Sequence, residues 1–369
     1  MNELKRIFGG IDKLLLFVVI LSALFGIMAI MSSTRIYETN KYVIVQCGAF
    51  IVGLIALFVV MIPDYNSFPA VAKYFYALSV FLLLLVLFIG TGEEEAGAKS
   101  WIRFGALGVQ PSEFVKILFI ITFSSHLSAV EEYVNSPIPL MGLFAHGGFI
   151  ILLILFQPDY GTAMVYIFMM LCMLFAAKLS YKYIIGAFGA FLPISVIMWF
   201  FVLKPYQKDR FLDFIHPERD MVGSGYHVVQ SKVAIGSGGI IGKGLFHGTL
   251  IQSGALPASH TDFIFSSVAE EFGFVGCSIV IGLLFMIIFK CIYTAAASRT
   301  SIGSYICIGV AAMFVFHIYE NIAMCMGLMP VTGIPLPFFS YGGSSLVTAF
   351  VAVGLVMNVS SRTGTATIQ

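Results

Sequence analysis

The chain has 369 residues, of which 59% are hydrophobic and only 11% charged, and its net charge is +1. A soluble domain carries about 25% charged residues, so this composition excludes a large soluble enzyme. No basic cluster suggests a nucleic-acid partner.

Apolar runs of ~20 residues, the length that crosses a bilayer as a helix, recur along the chain. About ten are predicted, at roughly 14–33, 42–62, 73–90, 113–131, 139–156, 160–178, 183–203, 262–289, 302–328 and 344–360. The expected fold is therefore an all-α polytopic membrane protein, a single integral membrane unit over 1–369. The first run lacks a small-residue cleavage site and reads as a span, not a removed signal peptide. The cysteines at 47, 172, 277, 291, 307 and 325 lie in or beside spans and form no C-x-x-C pair. They read as small apolar residues.

Lys and Arg favour the cytoplasmic side of short loops. With the N-terminus inside, the inner segments carry Lys5, Arg6, Lys13, Lys73, Lys178, Lys182, Lys290, Arg299 and Arg362. The short outer loops carry Arg35, Lys41, Lys99 and Arg103. This bias predicts both termini inside and one long outer loop, roughly 204–261, between helices 7 and 8.

Every even-numbered span then starts at the outer side, and those starts are unusual. The fourth begins GVQPSEFVK, with Glu113 and Lys116 one turn apart. The sixth begins FQPDYGT, with Asp159. The eighth begins HTDFIF, with Asp262, and the tenth begins PLPFFSYGGSS, with Ser344 as a cap. Helix N-termini offer free N–H groups that suit an anion such as a phosphate. Ordinary capping explains the same residue types.

The outer loop contains GSGGIIGKGL and the cations Arg210, Arg219, Lys232 and Lys243. It is not a nucleotide-binding loop: Ser237 stands where a P-loop needs glycine, and Gly244 where it needs Ser or Thr. A glycine-rich loop close to a lipid-linked phosphate and an inert re-entrant loop are both open readings.

Within the ninth span, His317, Glu320 and Asn321 share one helix face. They read as polar glue between helices, with a proton relay as the alternative. Glu93–Glu95 read as a solvated loop. In HTDFIFSSVAEEFGFVG, Glu270 falls about 80° around the helix and two turns deeper than Asp262, with Glu271 nearly opposite. Asp262 is the carboxylate at the water-accessible lip. Glu270 and Glu271 read as structural support for neighbouring helices or an inner cavity.

Taken together, GAKSWIRFG with VQPSE, FQPDYGT, GSGY with QSKVAIGSGGIIGKG, HTDFIFSSVAEEFGFVG and TGIPLPFFSYGGSS resemble the SEDS family (shape, elongation, division and sporulation) along the whole chain. GKGLFHGT followed by HTDFIF is similar to its RodA-like elongation branch. The resemblance implies a ten-span, multi-pass protein of the bacterial plasma membrane. It would polymerise lipid II into peptidoglycan glycan strands at the outer face, beside a class B penicillin-binding protein transpeptidase.

The family's essential aspartate matches Asp262 and its functional tryptophan matches Trp101. The family pattern has Pro-Glu before the HTD motif; here Pro257 is followed by Ala258, so no role of that glutamate transfers. The implied chemistry is displacement at a sugar C1 with inversion, undecaprenyl diphosphate leaving and Asp262 acting as base or metal ligand. Candidate contacts to the diphosphate or sugar are Trp101, Arg103, Glu113, Lys116, Asp159, Arg210, Lys232, Lys243, Ser340, Gly342 and Gly343. A divalent cation, Mg²⁺ or Mn²⁺, is the expected cofactor, and membrane lipid is an expected partner. A flippase for the lipid-linked precursor and a non-catalytic scaffold are the alternatives.

Overall fold

The computed structural model describes residues 10–92, 99–104, 107–202, 208, 212, 214 and 223–363. Arg210, Arg219 and Glu93–Glu95 lie outside them. Ten helices fall on the ten predicted spans: α1 Lys13–Ser33, α2 Lys41–Val60, α3 Phe68–Ile89, α4 Pro111–Ala129, α5 Pro137–Leu155, α6 Tyr160–Ala176, α7 Tyr181–Ile197, α10 Ile264–Ala297, α11 Ser301–Cys325 and α12 Gly343–Thr363. Seven of these, among the described residues, are long and apolar enough to cross a membrane. The protein is a polytopic helical membrane protein.

Two shorter helices were not predicted. They are α8 (Ser224–Gly238) and α9 (Thr249–Gln252), both within the long loop. A small antiparallel hairpin, β1 (Ile102–Phe104) and β2 (Leu107–Val109), precedes α4.

The helices sort by burial. α11 and α12 form the centre, whereas only 17% of the apolar window of α2 or α3 is buried against 72% for α12. Ile44, Ile51, Ile55 and Val59 of α2 are exposed, as are Tyr74, Phe81 and Phe88 of α3. In lipid such faces carry no penalty. Small residues bring α2 and α12 together: a Cβ on Gly354 would lie 2.7 Å from the Leu57 carbonyl oxygen.

Two features place the site. The first is the segment between α11 and α12. The sequence reading treated PLPFFSYGGSS as the start of a span, but residues 330–342 are almost wholly non-helical and sink into the core. Ile334, Leu336, Phe338 and Phe339 are buried. Irregular backbone is tolerated at membrane depth only where protein buries it and supplies its hydrogen bonds. Here Ser340 Oγ accepts from Leu336 N at 2.8 Å, and Gln46 of α2 binds both Ser340 O (3.1 Å) and Gly342 N (3.1 Å).

The second feature is a break in α10. Gly273 has φ 63° and ψ −160°, outside the helical range. A straight helix would bond Phe274 N to Glu270 O and Val275 N to Glu271 O. Residues 239–244 take all four groups instead. Lys243 N donates to Glu270 O at 3.0 Å, and Gly244 N to Glu271 O at 2.9 Å. Phe274 N donates to Gly239 O at 2.9 Å, and Val275 N to Ile240 O at 3.1 Å. The glycines permit this backbone approach: a Cβ on Gly242 would strike Glu271 O, and one on Gly273 would strike Gly242 N. The glycine-rich loop thus serves as a splice into α10, and not as an open phosphate cradle.

Candidate functional site

Asp262 sits in the turn before α10. Ala258, at φ +50°, leaves its carbonyl free to accept from Thr261 N and Phe263 N, both at 3.1 Å. The backbone around Asp262 is then fixed from three sides. Asn321 Nδ2 donates to Asp262 O at 2.8 Å and to Ile334 O at 2.9 Å. Ser340 Oγ donates to Thr261 O at 2.7 Å, and Tyr341 N to His260 O at 2.8 Å. Asp262 itself is half-buried, and a Cβ added to Gly333 would lie 3.7 Å from its Oδ2. The backbone thus holds a carboxylate that faces a glycine with no side chain of its own.

The predicted starts of α4, α6 and α12 do meet at this end of the bundle. Gln110 Nε2 donates to Asp159 Oδ2 at 3.4 Å, and Gln110 N to Ser344 Oγ at 3.3 Å. One turn into α4, Lys116 Nζ donates to Glu113 Oε1 at 2.7 Å and lies 2.8 Å from His317 Nε2. Lys116, Glu113 and His317 are all buried. His317 Nδ1 lies 3.2 Å from Pro335 O. That carbonyl can only accept, which assigns the proton to Nδ1 and leaves Nε2 to accept from Lys116. The chain Glu113–Lys116–His317–Pro335 ties α4 to the buried segment that supports Asp262. Glu320 of α11 does similar work: its Oε1 accepts from Thr332 Oγ1 at 3.0 Å.

Several expectations change. Two of the N–H groups read as free for an anion are engaged: Asp159 Oδ1 caps Thr162 N at 3.1 Å, and Gln46 takes Gly342 N. Ser340, expected at the substrate, is buried with its hydroxyl bonded within the protein, so it and Gly342 act as a joint. Gly343 opens α12 beside them. Lys243 is salt-bridged to Glu270 at 2.7 Å, and Lys232 lies against Gly327 at the C-terminal end of α11, where a cation is favourable. Lys243 is therefore committed to Glu270, whereas Lys232 is exposed.

Glu270 also accepts from Leu250 N (3.0 Å) and Ile251 N (3.2 Å), capping α9. Glu271 accepts from Ser32 Oγ at 2.6 Å. Ser32 ends α1, whereas Lys290, further along α10, pairs with Asp12 at the start of α1. These contacts lie about 30 Å apart along α1. Glu271 therefore stands at the same end of the bundle as the site and ties α10 to α1.

Trp101 and Arg103 belong to the hairpin. The Trp101 ring covers Gly108, where a Cβ would come within 3.1 Å, and β2 packs on α12. Arg103 is exposed. Sequence reasoning missed the tyrosines around the HTD turn: His260 lies 4.9 to 5.7 Å, ring to ring, from Tyr37, Tyr42 and Tyr341. The only hint was their nearness to span ends. Burial without a partner for Nδ1 lowers the His260 pKa to about 4, so the ring is neutral near pH 7. Mg²⁺ binds through one or two carboxylates plus substrate phosphates, and Asp262 is a donor of that kind. Among the described residues no group of three or more His, Cys, Asp or Glu could hold a metal alone.

Comparisons agree with the geometry. The chain is 36% identical over 320 residues to the peptidoglycan glycosyltransferase MrdB of Escherichia coli K12, covering 85% of this chain and 84% of that one. It matches a solved structure on the structural coordination of polymerization and crosslinking by a peptidoglycan synthase complex with a TM-score of 0.79 and 32% identity, over 96% and 98% of the two chains. The rod shape determining protein RodA of Thermus thermophilus matches with a TM-score of 0.69 and 27% identity, over 95% and 96%. A model of cell cycle proteins covering FtsW, RodA and SpoVE matches residues 12–365. The chain belongs to this FtsW/RodA/SpoVE family, the SEDS family that its motifs resemble.

Proposed function

We propose that the protein is a peptidoglycan glycosyltransferase of the elongation branch that polymerises lipid II at the outer face of the bacterial plasma membrane. The observation that carries this reading is Asp262: a half-buried carboxylate in a turn fixed by its backbone hydrogen bonds, facing Gly333. The names of the relatives and the bias of Lys and Arg toward one side support it.

In the reaction a sugar hydroxyl of the acceptor attacks C1 of the donor sugar. The new C–O bond forms as the bond to the diphosphate breaks, with inversion. Asp262 takes the hydroxyl proton, a contribution of about 10²–10⁴-fold for general bases. The undecaprenyl diphosphate leaves with the bonding electrons. Lys116 is buried and already paired with Glu113, so its field acts from within α4. A bound Mg²⁺ or Mn²⁺ would neutralise the departing diphosphate. Trp101 and Arg103, on the hairpin whose β2 packs on α12, are the proposed contacts to the sugar or phosphate. A class B penicillin-binding protein is the proposed partner that cross-links the strands.

The test is polymerisation of purified lipid II with Mg²⁺ or Mn²⁺, with and without the transpeptidase. Wild type should give glycan chains and Asp262→Asn none. Equal product from both removes Asp262 as base. Absence of product together with transfer of lipid II across vesicles favours the flippase.

A further inference from the structure

The turn between α1 and α2 carries two features that the chemistry at Asp262 does not use. Tyr37, on this turn, and Tyr42, in the first turn of α2, pack with His260 and Tyr341 into one aromatic cluster. The ring centroids of Tyr37 and Tyr42 are 5.4 Å apart, and those of Tyr42 and Tyr341 are 5.2 Å apart. His260 fills the middle of this box, so there is no cage left for a cationic ligand. Tyr37 remains 47% exposed. One residue, Thr261, separates His260 from Asp262, a reach of at most about 7 Å.

Beside the cluster, the same turn borders a cavity of about 290 Å³. Its lining includes Phe246 with Thr34, Arg35, Glu38, Thr39 and Asn40. Arg35 stacks over Phe246 at 5.3 Å, which leaves the edge of the guanidinium to donate hydrogen bonds. The volume is at the lower end for small-molecule sites, and an apolar floor with a few polar groups is their usual form.

A membrane-facing surface has no need of such a mixture. Lipid tails ask for aliphatic side chains, and a bare anion asks for cations without Glu38. A pyranose ring has an apolar C–H face and a rim of hydroxyl and acetamido groups. It matches an open tyrosine face together with neutral and charged hydrogen-bonding side chains.

We propose that the α1–α2 turn is a subsite for the glycan strand, in which the open face of Tyr37 stacks on one N-acetylated sugar and Arg35, Glu38, Thr39 and Asn40 hold the next. The site lies beside Asp262, where it keeps a polymer in register between additions. It rests on the glycosyltransferase reading for the identity of the sugar. His260 is a positioning residue: it packs the three tyrosines, and its carbonyl receives Tyr341 N.

The test is binding of short, peptide-free glycan oligosaccharides of alternating N-acetylglucosamine and N-acetylmuramic acid. Saturation-transfer NMR reads it on the full-length protein in detergent, on the preparation also assayed with lipid II. Wild type should bind. Tyr37→Ala and Asn40→Ala should each raise the dissociation constant at least about ten-fold, and their glycan products should be shorter. Asn40 lies at an exposed turn and makes no side-chain cap to α2, so Asn40→Ala keeps the wild-type melting temperature and tests the subsite even where Tyr37→Ala loosens the aromatic cluster. Absent binding by wild type, or equal binding by the variants, overturns the subsite even if polymer is made. Binding that depends on Tyr37 and Asn40 without any polymer keeps the subsite and removes the polymerase reading.

Discussion

Asn321 holds Asp262 by its backbone and not by its carboxylate. Its side-chain amide donates to the carbonyls of Asp262 and Ile334, joining the turn before α10 to the buried segment before α12. An apolar side chain would take this donor from Ile334 O and leave Asp262 O with the weak Cys325 thiol at 3.6 Å, where an unsatisfied carbonyl costs about 1–3 kcal/mol. Asn321→Leu should lower the melting temperature in detergent and cut polymerisation at least about ten-fold with Asp262 still present. A variant with wild-type rate would show that this backbone anchor is dispensable.

The pair Glu113–Lys116 makes an asymmetric prediction. Removing one partner leaves a buried charge alone, which costs about 3–5 kcal/mol. Lys116→Met and Glu113→Gln should each reduce the yield of folded protein in size-exclusion chromatography. The double variant Glu113→Gln/Lys116→Met should recover part of that yield. If Lys116 also supports departure of the diphosphate, the recovered protein stays slow. Full recovery of rate would confine the pair to structure.

The splice into α10 depends on Gly273. Its φ and ψ fall where other residues pay about 1–3 kcal/mol, and a Cβ would also collide with Gly242 N and Ile240 O. Gly273→Ala should therefore lower the melting temperature well beyond the effect of Gly282→Ala, a glycine whose Cβ meets nothing within 4 Å. Equal losses would mean that residues 239–244 do not need their close approach.

His260 sets an acid limit. Its pKa falls from the ordinary 6.5 to about 4 because burial penalises the charged ring. The unfolded chain therefore takes up the proton first as pH drops. Stability contributed by the neutral ring is fully present above pH 6.5 and declines between 6.5 and 4, by at most about 3 kcal/mol. Thermal unfolding in detergent should show this slope in wild type and a shallower one in His260→Gln. Parallel profiles would assign the acid sensitivity to other groups.

The ten spans were legible because hydrocarbon demands apolar runs of about 20 residues. The meeting of α4, α6, α10 and α12 at one end followed from parity alone. What could not be read were pairings between distant residues. Lys243 looked available because Glu270 lies 27 positions away, and Glu271 looked deep because Ser32 lies 239 positions away. The buried stretch 330–342 has no helical or strand period, so its place in the core is set by Gln46, Asn321 and Ser340, which composition does not reveal. The hairpin at Ile102–Val109 is short enough to pass for any polar loop.

The splice at Gly273 also bears on how the chain is made. A straight helix reaches the lipid with its own ladder complete. α10 does not: the carbonyls of Glu270 and Glu271 and the amides of Phe274 and Val275 wait for residues 239–244. Those residues lie upstream, so they have left the ribosome before α10 does. The partner is on hand when the open groups arrive, and the reverse order of synthesis would expose four unsatisfied polar groups to the translocation machinery and to lipid.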